Sequence, residues 1–99
     1  YFAQSLAEID GARLQLYAAA DALDQQRDVD RYSSEAKFTC CTVANRVTGL
    51  AIQVCGAYGT MVNSPFNRYW RDAKFMQTIE GSNEIHRGLI AEYELGYRS

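Results

Sequence analysis

Residues 36–57, A-K-F-T-C-C-T-V-A-N-R-V-T-G-L-A-I-Q-V-C-G-A, decide the fold class. Ala36, Cys40, Val43, Val47, Leu50, Val54 and Ala57 follow one another at steps of four and three. That is one face of a 3.6-residue helix, sustained for about six turns. A second face of small residues, Ala44 and Ala51 with Tyr58, suits another helix or another subunit. This helix is expected over residues 31 to 54 or 55, where G-A-Y-G at 56–59 interrupts it and opens a loop over 56–64.

Working outward, residues 1–26 carry Phe2, Leu6, Ile9, Leu16, Ala20 and Leu23 on one stripe, with Arg13 as its polar member, which predicts an amphipathic helix with that stripe on a core. Gly11 weakens this helix by about 1 kcal/mol against Ala and is expected at a close helix crossing. The charged stretch D-Q-Q-R-D-V-D-R, 24–31, is the linker, with Asp28 and Asp30 as candidate N-caps. So short a connection makes the two long helices antiparallel neighbours. Ser64-Pro65 then opens a short helix over 65–74 with Ser at N-cap and Pro at N1. An extended connector follows over 75–81. The last helix starts at Ser82, turns Ile85, Leu89, Ile90 and Tyr93 inward, and ends with Gly96 at C′. Period-two alternation never persists, so no strand is expected. The fold class is all-α: one antiparallel helical domain over 1–99, with two long helices, one short helix and a terminal helix.

Bulk properties exclude several functions. The net charge of −2 offers nothing to a polyanion or an anionic membrane. One Pro and seven Gly in 99 residues agree with a helical chain. No apolar run reaches the roughly 20 residues of a membrane span, and no basic segment followed by an apolar one marks a secretory signal. Three Cys and one distant His make no zinc pattern, and the thiols read as small core residues in a reducing compartment. The chain begins at Tyr1, without Met, inside a helical pattern, and is read as a piece of a longer protein.

Glu80 is the candidate for chemistry. It stands in a connector between two helices, with Ile79 before it and Gly81 after it. A carboxylate so placed is either a cap for the last helix or a general base, and Gly81 would let a substrate approach. Gln53, Gly56 and Gly59 form Q-x-x-G-x-x-G at the end of the long helix. Without a preceding strand this is no dinucleotide fingerprint, but backbone N–H groups there would suit a phosphate or a ring edge. The run Arg68 to Lys74 reads as a solvated charged face, Tyr69 and Trp70 as core, and His86 as a surface or partner-facing residue.

Taken together, I-Q-V-C-G-A-Y-G (52–59), S-P-F-N-R-Y-W-R-D-A-K (64–74) and I-E-G-S-N-E-I-H-R (79–87) resemble the C-terminal helical domain of acyl-CoA dehydrogenases. The family versions run roughly Q-x-x-G-G-x-G, Y-P-V-x-R-x-x-R-D-A-K and Y-E-G-T-x-x-I-x-R. The resemblance extends from the first helix to about Ala91. It implies an FAD-dependent α,β-desaturation of an acyl thioester. Glu80 corresponds to the base that removes the α-proton while the β-hydrogen leaves as hydride to the flavin, and its own backbone N–H helps to polarise the thioester carbonyl. Gly81 corresponds to a substrate-lining residue. Gln53, Gly56 and Ala57 correspond to a segment that touches the FAD of a neighbouring subunit, and Ser82 and Glu84 to positions near the ribityl-diphosphate. Ala57 replaces a family Gly, Ser82 a Thr, and Ile79 a Tyr.

The same resemblance implies electron-transferring flavoprotein as acceptor, a homo-oligomer, and a bacterial cytoplasmic or mitochondrial-matrix setting. The family's first bundle helix, with its R-x-x-F-G element, and two further domains would precede Tyr1. By itself the chain is therefore expected to hold FAD poorly and to associate through an uncovered apolar groove. Two other readings are a non-catalytic helical interaction domain and a dehydrogenase acting on a carrier-protein-bound acyl group.

Overall fold

The computed structural model describes residues 1–97. Five helices follow one another: α1 (Phe2–Gln25), α2 (Val29–Cys55), α3 (Ala57–Thr60), α4 (Pro65–Met76) and α5 (Asn83–Glu94). Among the described residues there is no strand, and the all-α class expected from the periodicity is the one observed. None of these helices is long and apolar enough to cross a membrane.

α2 is the spine, and every other helix packs on it. Along one side runs α1, antiparallel: the Cys40 thiol meets the Ala12 carbonyl, and six residues further along α2 the Arg46 guanidinium pairs with Glu8. Along the other side run α4 and α5 in series, both antiparallel to α2. Trp70 lies beside Gly49, the Cys41 thiol reaches the Met76 carbonyl, Asn83 donates to the Thr42 hydroxyl, and Arg31 pairs with Glu94. α1 makes no helix contact except with α2. The arrangement is thus an open three-row layer, and the break between α4 and α5 falls opposite the middle of α2.

Local chemistry explains the ends. The Ser64 hydroxyl accepts the Phe66 N–H with Pro65 in the first turn, and the Ser82 hydroxyl accepts the Ile85 N–H, so both expected N-caps form. Gly96, at φ 81°, closes α5: Gly96 N–H donates to Tyr93 and Tyr97 N–H to Glu92, a Schellman motif. At the other junctions the structure departs from the expected boundaries. α2 begins at Val29, two residues early, and the linker shrinks to 26–28. Gln26 and Asp28 both turn left-handed there, and Asp28 occupies the N-cap without a side-chain cap bond. The expected 56–64 loop contains α3, and α4 runs on to Met76, so the connector shortens to a turned segment at 77–82.

The larger correction concerns faces. On α1 the buried residues are Ala12 and Ala22, whereas Phe2, Leu6, Leu16 and Leu23 are each about half exposed or more. The small residues win because they let two long helices approach, and nothing in the described chain covers the large ones. On α2 the buried residues are Ser34, Ala36 and Cys41, and Val54 at the end of the expected stripe is 68% exposed. Tyr69, Trp70 and Ile85, expected in the core, are all substantially exposed, although Leu89, Ile90 and Tyr93 are half-buried. Gly11 has nothing within 4 Å of where a Cβ would stand, so it marks no helix crossing. Gly59 does mark a close approach, with a Cβ there 2.8 Å from the Ile52 backbone.

Candidate functional site

The connector at 77–82 is built from both ends. The Thr78 N–H and hydroxyl both reach back to the Phe75 carbonyl, winding the chain off α4. The Asn83 N–H donates to the Gln77 carbonyl, which pulls the start of α5 back against the end of α4 and leaves 78–82 as a protruding turn. At its apex Glu80 is left-handed, at φ 55°, and Gly81 follows at φ 87°. A left-handed non-glycine residue carries roughly 1–2 kcal/mol of strain and persists only where surrounding bonds over-determine it.

Those bonds come from α2 and α5. The Lys37 ammonium donates to three carbonyls, that of Met76 at the end of α4 at 2.7 Å and those of Ile79 and Gly81 in the connector at 3.0 and 3.3 Å. Gln77 Nε2 donates to the Cys41 carbonyl at 3.5 Å. His86 places Nε2 3.3 Å from the Glu80 carbonyl and donates to it when Nε2 carries the proton. His86 is therefore half-buried against the connector, where a surface residue was expected. Its Nδ1 is buried without a hydrogen-bond partner among the described residues.

This geometry sorts the candidates. The Glu80 side chain is exposed, and the cap of α5 is the Ser82 hydroxyl, so the capping role open to Glu80 belongs to Ser82. Gly81 has two local reasons to be glycine: its positive φ, and the His86 ring, whose Nε2 would lie 2.7 Å from a Cβ there. The room made by the missing side chain is filled by His86. Glu84 is exposed in the first turn of α5.

Gln53, Gly56 and Ala57 are also exposed, at the far end of α2. The connector touches α2 at Lys37, Cys41 and Thr42, and Gln53 lies eleven residues beyond Thr42, about 16 Å along the axis. The two groups of candidates therefore belong to two separate surfaces. The glycine N–H groups considered as anion ligands are used internally, Gly56 N–H on the Gln53 carbonyl and Gly59 N–H on the Gly56 carbonyl.

The charged run on α4 behaves as a solvated face: Arg68 stacks over Tyr69 at 5.3 Å, and Arg71 and Asp72 are exposed. Among the described residues no group of His, Cys, Asp and Glu is placed to hold a metal ion. The sequence reading missed Lys37 and the inward turn of His86. Lys37 follows Ala36 of the apolar stripe, and nothing local marks it as different from a solvated lysine.

Comparisons with known proteins agree with this architecture. The sequence profile described as "Acyl-CoA dehydrogenase, C-terminal domain" matches residues 1–95. A cyclohexane-1-carbonyl-CoA dehydrogenase of Geobacter metallireducens is 40% identical over 89 residues, covering 90% of this chain and 23% of the relative. The mitochondrial short-chain specific acyl-CoA dehydrogenase of Rattus norvegicus is 35% identical over 92 residues, covering 92% of this chain and 22% of the relative. A chain from the solved structure described as "Electron transferring flavoprotein of Acidaminococcus fermentans: Towards a mechanism of flavin-based electron bifurcation" superposes with a TM-score of 0.90 at 33% identity, over 94% of this chain and 24% of that one. The chain thus spans about a quarter of the length of these proteins. With three motifs in order, helices that superpose over nearly the whole length and a matching profile, the chain belongs to the acyl-CoA dehydrogenase family and corresponds to its C-terminal domain.

Proposed function

We propose that this domain supplies the proton-abstracting base of an FAD-dependent acyl-CoA dehydrogenase, with Glu80 as that base. The observation that carries the reading is the position of Glu80: an exposed carboxylate at the left-handed apex of a turn, held by its backbone and relieved of capping duty by Ser82. Strained residues of this kind cluster at functional sites. An exposed apex lets the carboxylate meet a thioester lying against the protein, and a fixed backbone keeps it in register with the α-carbon.

In this reading Glu80 takes the α-proton. Its own N–H would polarise the thioester carbonyl, and Gly81 would line the substrate through its backbone, since the His86 ring occupies the side-chain space there. The residues facing FAD fit the cofactor on accessibility: Gln53, Gly56 and Ala57 are exposed at one end of α2, and Glu84 is exposed beside the connector. Ser82 spends an oxygen lone pair on its cap and keeps its O–H for another acceptor. FAD, when bound, supplies the hydride acceptor for the β-hydrogen. The rise of about 16 Å along α2 from Thr42, beside the connector, to Gln53 suits contacts to two different flavins, one belonging to a neighbouring subunit. This domain would then hold each flavin only in part.

Electron-transferring flavoprotein as acceptor, a homo-oligomeric assembly, and a bacterial cytoplasmic or mitochondrial-matrix setting belong to the same proposal. A thioester on a carrier protein would meet the same base. The rival reading, a non-catalytic interaction domain, draws on the uncovered apolar side chains of α1.

The test is Glu80→Gln in the flavin-loaded protein that carries this domain. Release of α-deuterium from a short-chain or cyclohexane-1-carbonyl-CoA thioester should fall by at least about 10²–10⁴-fold, the usual contribution of a general base, with flavin content unchanged. Undiminished release would sink the assignment.

A further inference from the structure

We propose that Lys37 is the positioning residue for the base, a tripod on α2 that holds the connector in the one shape that presents Glu80. This rests on the reading of Glu80 as base, but the geometry that carries it is independent of that reading. The Lys37 ammonium has three N–H donors, and three main-chain carbonyls converge on it, from Met76, Ile79 and Gly81, at 2.7, 3.0 and 3.3 Å. Two of those carbonyls belong to the residues on either side of Glu80, and the third ends α4.

Other bonds pin the ends of the connector at Gln77, Thr78 and Asn83, and Lys37 and His86 hold the carbonyls around its apex. Glu80 and Gly81 both have positive φ, a region that is sterically costly for the non-glycine Glu80. Flipping the 79–80 peptide would turn the Ile79 carbonyl away from Lys37 and re-aim the Glu80 side chain, and flipping the 81–82 peptide would turn the Gly81 carbonyl away. Lys37 penalises both flips at once, because its own donors would then lack partners in a half-buried place. His86, on the Glu80 carbonyl, holds the peptide that Lys37 does not reach.

The choice of lysine follows from shape. A guanidinium is planar and presents its donors as a fork, so it cannot direct three of them onto carbonyls arranged around a point. The ammonium can, and its four-carbon stem brings the charge out from beside Ala36 to the connector. Arginine, although it keeps the positive charge, is therefore predicted to fail here. A charge acting at a distance would be preserved by arginine, whereas a tripod is not.

The experiment uses Lys37→Met, Lys37→Arg and Lys37→Ala in the flavin-loaded protein that carries this domain, beside Glu80→Gln. Lys37→Met and Lys37→Arg should each lower kcat by about 10²-fold, the effect of misplacing a reacting group by about 1 Å. KM, flavin content and the unfolding midpoint should stay near the parent values. Amide hydrogen exchange should quicken in peptides covering 76–82 and not elsewhere. Propylammonium should restore part of the turnover of Lys37→Ala, because it can place three donors where the side chain was.

Parent-like kcat and exchange in Lys37→Met would overturn the proposal. So would a loss of turnover that only follows a loss of flavin or of folded protein, or full activity in Lys37→Arg. The failure of the base assignment looks different: α-deuterium release survives in Glu80→Gln, while exchange at 76–82 still quickens in Lys37→Met. In that outcome Lys37 holds the turn, but the turn holds no base, and the positioning role falls with it.

Discussion

Two glycines show how differently the same residue type can be used. At Gly59 a Cβ would stand 2.8 Å from both the Cα and the carbonyl oxygen of Ile52, and backbone cannot step aside. Gly59→Ala is expected to cost about 1–3 kcal/mol, as overpacking does. At Gly11 nothing lies within 4 Å, so Gly11→Ala should stabilise α1 by about 0.5–1 kcal/mol. Urea unfolding midpoints of the two variants should move in opposite directions, and equal shifts would contradict the geometry. Cys40 adds a pH effect. Burial, and secondarily the neighbouring Cys41, push its thiol up. A raised folded-state value leaves stability intact below the unfolded thiol's pKa of about 8.5 and drains it as pH rises from there. Unfolding midpoints followed from pH 7 to 10 should fall less in Cys40→Ser than in the parent, and Cys40 should alkylate more slowly than Cys55.

At the scale of the elements, α1 and α5 differ in how they are held. α5 is anchored at both ends, by the Ser82 cap and the Asn83–Thr42 contact at its start and by the Arg31–Glu94 pair and the Tyr93 hydroxyl on Asp30 at its finish. α1 leans on α2 through Ala12, which meets Cys40, and the partly exposed Glu8–Arg46 pair, while most of its larger apolar residues stay half exposed or more. The face assignment is testable. Ala12→Leu, on the packed face, should cost about 1–3 kcal/mol, whereas Leu23→Ala, 55% exposed, should change stability by less than about 0.5 kcal/mol. If Leu23→Ala were the more damaging, the observed face of α1 would be wrong. Helix existence, both serine caps and the Gly96 terminator were legible because they depend on residues within one turn of each other. How deeply the stripe of α1 is buried was not, since that depends on what lies opposite each residue, and Leu16 and Leu23 stay about half exposed.

The whole molecule is open. Its radius of gyration is 15.5 Å, against about 13 Å for a compact chain of this length, and its extents are 48 × 24 × 22 Å. Among the described residues the buried apolar ones are four alanines and a cysteine, with no large side chain among them. An apolar groove of about 450 Å³ lies between the start of α1 and the end of α2, lined by Tyr1, Phe2, Val47, Leu50 and Val54. Exposed apolar surface of this kind seeks a cover, and for an isolated chain the available cover is another copy. Gel filtration of the 99-residue chain at tens of micromolar should therefore show a species larger than 11.1 kDa. A sharp monomer peak would show that the layer is self-sufficient.

The sequence by itself determined the helical class, the family motifs, the serine caps and the place of Glu80 between two helices. Each rests on local spacing, which the chain writes out directly. Only the tertiary structure decided that Glu80 is left-handed, that Ser82 and not Glu80 caps α5, and that Gly81 makes room for His86. It also decided that Gln53, Gly56 and Ala57 lie on a surface apart from the connector, and that Lys37 ties the turn together. The reason is distance along the chain: the Lys37 contacts join residues 39 to 44 positions apart, and no periodicity records which lysine will meet which carbonyls.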